Sequence, residues 1–394
     1  MSRNMIINKL PAYTYNWLHM NEAQLPGVSA VEEAPVAAEV PAGIRQDVMK
    51  AEDAAAEAAK ILTGAGEDMD ALLADADVSV QTYTVPAGVR VTDDAVRLQL
   101  SYADQGFVYE TKRAGAAGQT ETRAAAGEAV RGVRQNSADA AGTGRINAFR
   151  YVLEPDSEMT VVMDYTADQD AAGLAAVQTK IFAQKNSVLH LVQIQQLGED
   201  YTLLNDIGGF CEEGARVELI RLILNGKNTY DGCRVELAGE KSSLGVDLAY
   251  LCKGDDHLDM NYDAYHTGKR TNSEMNISGV LRDRAFKLFR GTIDFQNGCS
   301  GAVGDELEDV MLMDSTVVNQ TIPLILCAEE DVVGNHGATI GRLDDQLLFY
   351  MESRGMNRED IYEMMAKARI DAVIRKIPDE KTRQRMMPEV EEAE

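Results

Sequence analysis

The chain has 394 residues, of which 45 % are hydrophobic, enough to bury a sizeable core in two or three structural units. Acidic residues outnumber lysine and arginine 64 to 38, a net charge of -26, which argues against a nucleic-acid partner and against binding to anionic membranes. Met1–Leu10 lacks the pattern of a signal peptide, no apolar run is long enough to span a bilayer, and five scattered cysteines without a Cys-x-x-Cys pair fit a reduced, cytoplasmic setting.

Tyr13, Tyr15 and Trp17 form an aromatic cluster expected to anchor the N-terminal end on the body. Residues 21–44, with Pro26, Pro35 and Pro41, read as an extended linker. From Ile44 to Ala76 the helix formers Ala, Glu, Lys and Leu predominate, which predicts two helices divided at Gly64 and Gly66. Residues 1–80 are thus expected to be a helical region with a linker. Within 112–145, Ala, Gly, Thr and Arg leave almost no large apolar side chain, so this stretch reads as a mobile insertion or long loop.

Strand-like segments then recur: Thr160–Tyr165, Ala176–Ala183, Val188–Gln195, Val217–Leu224, Cys233–Ala238, Leu244–Leu251, His257–Tyr265, Asn272–Val280 and Phe286–Phe295. Several alternate with period two, as Leu189, Leu191 and Gln193 do against His190, Val192 and Ile194. Gly, Asn, Asp and Lys separate them, with no room for crossover helices, so repeated βαβ units are excluded. A sandwich, a barrel or a solenoid remains, and polar residues such as Asn272, Asn276, Asn297 and Asn319 would suit the corners of a β-helix. The β core is expected over 81–335 and a helical domain over 336–394. In that domain Gly355 is a helix C-terminal residue and Asn357 an N-cap, and Ile361, Met364, Met365, Ala368 and Ala372 make one apolar face. The tail from Pro388 is expected to be disordered.

No phosphate-cradling loop, Gly-x-Ser-x-Gly or His-Glu-x-x-His pattern occurs. Asp344 and Asp345 read as helix caps rather than an acid–base pair. His336, between Gly334 and Gly337, is either a structural residue or a neutral imidazole able to coordinate iron or relay a proton. His257 and His266 match no standard metal spacing. Among the cysteines, Cys233, Cys252 and Cys327 read as core residues, whereas Cys299, after the Asn297-Gly298 turn, is the one expected at the surface.

Residues 286–356 are more specific. The strand Phe286-Lys287-Leu288-Phe289-Arg290-Gly291-Thr292-Ile293, the Pro323–Asp331 strand with its acidic end, and above all His336-Gly337-Ala338-Thr339-Ile340-Gly341-Arg342-Leu343-Asp344, then Phe349-Tyr350 and Ser353-Arg354-Gly355, resemble the SufB/SufD family of iron–sulfur cluster assembly scaffolds. The resemblance is good from Thr160 to Arg369. It implies a mainly β fold, a right-handed parallel β-helix flanked by N- and C-terminal helical parts. It also implies a non-catalytic scaffold of the SUF system that pairs with a SufB-like subunit and binds a SufC-like ABC ATPase. A nascent Fe–S cluster would form transiently at the subunit interface, with no cofactor held tightly by the isolated chain. His336 would help hold that cluster, shared with the partner. Phe349, Tyr350, Arg354, Gly355, Met364 and Met365 would dock the ATPase. Met313 stands before Asp314-Ser315 where the SufB type has a cysteine, and Gly334 stands where many SufD-type chains have one. A thioether cannot serve as a thiolate, so the SufD type is favoured. Two alternatives are a stand-alone homodimeric scaffold, which would need Cys211 or Cys299 as acceptor thiol, and a carbohydrate-active β-solenoid enzyme.

Overall fold

The computed structural model describes residues 3–15, 18–28, 31–50, 61–76, 78–107 and 143–387. The insertion expected at 112–145 lies almost wholly outside them, as do Trp17, the 51–60 part of the expected helices and the tail from Pro388. The body is a β-solenoid. Its strands are β6 (Ser79–Val85), β7 (Arg90–Ser101), β8 (Gly144–Leu153), β9 (Glu158–Thr166), β10 (Ala172–Ala183), β11 (Val188–Gln196), β12 (Asp200–Cys211), β13 (Arg216–Ile223) and β14 (Asn228–Leu237). There follow β15 (Ser243–Cys252), β16 (His257–His266), β17 (Asn272–Leu281), β18 (Phe286–Phe295), β19 (Ala302–Leu312), β20 (Val318–Cys327) and β21 (Val332–Gly341).

Even-numbered strands from β6 to β20 stack in one parallel sheet and odd-numbered ones from β7 to β21 in the other, so each coil contributes one strand to each. His257 lies opposite Phe286, one coil of 29 residues. Because side chains alternate in direction, each strand sends every second residue into a lumen filled by Leu189, Leu191, Val217, Leu219, Val246 and Leu248, all buried. One corner is a ladder of left-handed residues, Asp156, Asn186, Gly214, Lys241, Arg270 and Gly301, one per coil. Each donates its backbone N–H to a carbonyl of the next coil, as Asn186 does to Glu213 at 2.8 Å and Lys241 to Lys269 at 2.9 Å. Of the asparagines expected at corners, Asn297 lies in the turn between β18 and β19, whereas Asn272, Asn276 and Asn319 lie within strands.

Among its described residues the N-terminal region is not mainly helical. Residues read as a linker form strands β2 (Ala23–Val28), β3 (Val31–Glu33) and β4 (Val36–Glu39), and the first expected helix begins instead as β5 (Arg45–Lys50). The cause is tertiary: β5 and β4 pair antiparallel with β6 and β7, whose open edges offer more hydrogen bonds than helix propensity can outweigh. The second expected helix is present as α1 (Glu67–Asp75). With the hairpin of β1 (Arg3–Ile7) and β2, α1 covers the outer face of the even sheet, packing Met5, Leu25, Met69 and Leu72 on Ile146, Leu174 and Leu204. Tyr13 and Tyr15 point to solvent; Leu10 and Met20 anchor the arm instead, on Phe286, Leu288 and Ile322. Asn8 and the buried Arg290 both bind Asp259 there, and Arg290 Nε donates to the Met20 carbonyl at 2.6 Å.

At the other end the β pattern runs on to Gly341, past the boundary expected at 336. Three helices follow: α2 (Asp345–Ser353), capped by Asp344, α3 (Arg358–Ile374), capped by Asn357, and α4 (Glu380–Met386). Gly355 has φ +90°, which a β-carbon would disfavour. The buried stripe of α3 is Ile361, Tyr362, Ala366, Val373 and Ile374, so Ala368 and Ala372, expected inside, are exposed. The larger side chains Val373 and Ile374 take the sheet face, against Val192, Ile194 and Leu222. Among the described residues no helix is long and apolar enough to cross a membrane.

On the odd sheet His190 stands between carboxylates of the coils on either side, Nδ1 at 2.5 Å from Glu218 and Nε2 at 3.2 Å from Glu158. Burial opposes the charged ring, but hydrogen bonds and charge from Glu218 and then Glu158 outweigh it and raise its pKa. A raised folded-state pKa stabilises fully below the unfolded value of about 6.5 and is lost as pH rises through the folded value. His190→Gln is therefore expected to flatten the denaturation midpoint between pH 6 and 8. A midpoint that falls with pH as steeply in the variant would contradict this ion cluster.

Candidate functional site: the open end of the solenoid

β20 and β21 are the last strands of their sheets, each paired on one side only. In-register parallel strands point their side chains the same way, so the lumen-facing row of β19 continues into β21: Gly304 lies opposite Gly334, Glu306 opposite His336 and Glu308 opposite Ala338. His336 therefore faces the mouth of the lumen, and since no further coil covers it, it is exposed. Below it Glu306 is buried, its carboxylate lying where a β-carbon on Gly291 would stand, 2.1 Å from Oε2. Burial, reinforced by the charge of Glu308 and only partly offset by Lys287, raises the Glu306 pKa to about 7. Glu308 is ion-paired to the buried Lys287, and Thr321 bonds both, at 2.8 Å to Glu308 and 2.9 Å to Lys287.

On the opposite wall Cys327 lies in register with Phe295 and ends β20. Its thiol is exposed, whereas Cys299 is fully buried under the turn that precedes β19, the reverse of the sequence expectation. The reason is position in the stack: apolar Leu324-Ile325-Leu326-Cys327 looks like a core strand, but no coil follows to bury it. Cys211 is also buried, its thiol pushed up to about 12, and burial with the nearby Glu329 carboxylate raises Cys299. Glu306 and Cys327 thus join His336 at the mouth, and neither can be found without the coil register. Among the described residues, no group of three or more His, Cys, Asp or Glu is placed to hold a metal ion.

The remaining site residues lie on the helices. Phe349 is 73 % and Tyr350 52 % exposed, and the Arg354 guanidinium sits 5.1 Å from the centre of the Tyr350 ring. Gly355 and Met364 are exposed beside them, but Met365 turns inward against the cluster of Val280, Leu348 and Ile361. The structure thus brings Phe349, Tyr350, Arg354, Gly355 and Met364 onto one helical hairpin and leaves Met365 in the packing layer. His266 spends both ring nitrogens on hydroxyls, Thr271 at 2.7 Å and Ser273 at 2.9 Å, and burial lowers its pKa to about 4. His257 is stacked on Phe286, ring centres 4.7 Å apart.

The chain is thus a two-sheet parallel β-solenoid with an unpaired terminal coil and a helical hairpin beside it. The model of the SufBD core domain of SUF-system FeS cluster assembly matches residues 134–369, and the chain belongs to that family. It is similar to the iron–sulfur cluster assembly protein SufD of Bacillus subtilis, at 23 % identity over 63 % of this chain and 57 % of that protein. It is similar also to SufD of Escherichia coli, at 24 % identity over 60 % of this chain and 56 % of that protein. The SufB protein of Bacillus subtilis matches at 24 % over 52 % of this chain and 44 % of its own. The chain thus spans little more than half the length of the two SufD proteins and less than half of the SufB protein.

Proposed function

We propose that this chain is a SufD-like scaffold subunit of an iron–sulfur cluster assembly complex. In this reading a SufB-like subunit covers the open end of its solenoid, and a SufC-like ABC ATPase docks on its C-terminal helices. The observation that carries the pairing is the contrast between the two ends. At the N-terminal end the edge strands are short and charged: β5 holds Arg45, Asp47 and Lys50, and β4 ends in Glu39. Such charges are how sheets keep their edges from pairing. At the C-terminal end β20 and β21 are ten residues each and contain no Asp, Glu, Lys or Arg. Val333 within β21 is 53 % exposed, and Leu307 on the neighbouring β19 is 56 % exposed. Pro323 is the one blunting residue. An edge so long and uncharged fits a surface that another scaffold covers.

The nascent cluster is the cargo of such an assembly. His336 at the mouth would offer it an imidazole, with thiolates from the partner. His336→Ala is expected to leave the fold intact and to lower cluster yield on the purified complex by about tenfold, read from its visible absorbance; an unchanged yield would refute the assignment. Phe349→Asp with Tyr350→Ala is expected to weaken ATPase binding by about thirtyfold. Undiminished co-purification of the ATPase would refute that surface. A self-paired scaffold would instead show as a dimer of this chain in the mass of the assembly, and Cys327 rather than Cys211 or Cys299 would be its accessible thiol.

A further inference from the structure

Away from the solenoid mouth, the N-terminal arm roofs a cavity of about 330 Å³ on the outer face of the even sheet. Its floor is a polar patch of neighbouring strands, in which Arg234 lies opposite Asp263 and Asp263 opposite Thr292. Its roof is the Thr63–Gly66 segment and the arm, with apolar Ile6, Leu10 and Pro11. Asn261 and Asp263 line it and are both only 4 % exposed, yet Asn261 Oδ1 and Asp263 Oδ1 have no hydrogen-bond partner. The adjacent Thr292 hydroxyl, fully buried, has none either. The other polar atoms are engaged: Asn261 Nδ2 donates to the Gly64 carbonyl at 3.0 Å, and Asp263 Oδ2 is paired with Arg234. Arg234 in turn lies 4.3 Å from the centre of the Tyr265 ring.

Buried acceptors are rarely left unmatched, and an unmatched group deserves an occupant. What is missing here is a donor. The charged residues lining the cavity are Lys9 and Arg234 against Glu67, Asp68 and Asp263, so the walls are acid-rich and an anion is disfavoured. A bare divalent ion would draw its ligands to about 2–2.6 Å, too tight a shell for a space of this size with apolar Ile6, Leu10 and Pro11 in its lining. We propose that this cavity binds a small organic ammonium compound, a short alkyl amine whose N–H groups donate to Asn261 and Asp263 while its carbons lie on Leu10 and Pro11. Burial raises the Asp263 pKa to about 6, with the Asp294 charge adding to it and the paired Arg234 offsetting it only in part.

The test is calorimetric titration of the full chain with putrescine, with succinate and Mg²⁺ as comparators, beside a thermal-shift series. Putrescine is expected to bind and to raise the melting midpoint. Asn261→Ala and Asp263→Asn are each expected to weaken it by about tenfold or more. Lys9→Glu, on the exposed rim, is expected to strengthen it, a gain that a misfolded variant could not mimic. The proposal is overturned if nothing binds at millimolar concentration, which would mean that water alone fills the cavity. It is equally overturned if succinate or Mg²⁺ is preferred, if Asn261→Ala and Asp263→Asn bind as wild type, or if Lys9→Glu binds more weakly.

Discussion

Asp231→Ala is expected to destabilise the chain by about 3–5 kcal/mol. Asp231 is fully buried in the lumen and ion-paired to Arg221, Nε to Oδ2 at 2.6 Å. Its other oxygen accepts from Tyr262 at 3.0 Å and from Asn205 at 3.3 Å. Arg221 also donates to Gln195 at 2.6 Å and to the Leu222 carbonyl at 3.3 Å. Removing the carboxylate leaves a guanidinium without counter-charge where water does not reach, which costs far more than the net worth of the pair. In urea, the midpoint should fall with an unchanged slope. Combining Asp231→Leu with Arg221→Met should be milder than either single change, because neither charge is then left alone. A double variant as unstable as the sum of the singles would mean that packing, not charge, is what the network supplies.

Val333→Lys with Ile340→Lys is expected to reduce pairing with a SufB-like subunit by about a hundredfold or more, since an interface core discriminates strongly against unpaired charge. Both side chains are exposed in the isolated chain. Stability should therefore move by only about 0.5 kcal/mol per substitution, so loss of pairing could not be mistaken for unfolding. ATPase binding through Phe349 and Tyr350, on a separate hairpin, should persist. If the lysines leave pairing untouched, the open end is not the seam.

The solenoid strands from β9 to β18 were legible because each puts every second side chain into a dry lumen, and that alternation survives in the residues themselves. β12 escaped notice. Its Gly208-Gly209 breaks the pattern, and the structure shows why: a β-carbon on Gly208 would lie 2.7 Å from the Leu62 carbonyl where the segment before α1 crosses the sheet. The N-terminal strands look like linker and helix by composition because the strands that pair with β4 and β5, β7 and β6, lie far along the chain. Local composition says nothing of such partners. At the mouth, the motif points to His336, the apolar run Leu324–Cys327 makes Cys327 look like a core residue, and nothing local singles out Glu306. All three positions depend on one fact that no local window holds: which coil is last. Spacing alone puts Ala368 and Ala372 on the inner face of α3, but the larger Val373 and Ile374 bury more apolar surface and set the face.

The most direct test of the central claim is hydrogen exchange at the backbone amides of β20 and β21, compared between the isolated chain and the chain co-purified with a SufB-like subunit and the ATPase. The account predicts fast exchange at the unpaired edge of the isolated chain and strong protection in the assembly, confined to these strands and the mouth around His336. Exchange at those amides that is the same in both samples would contradict it.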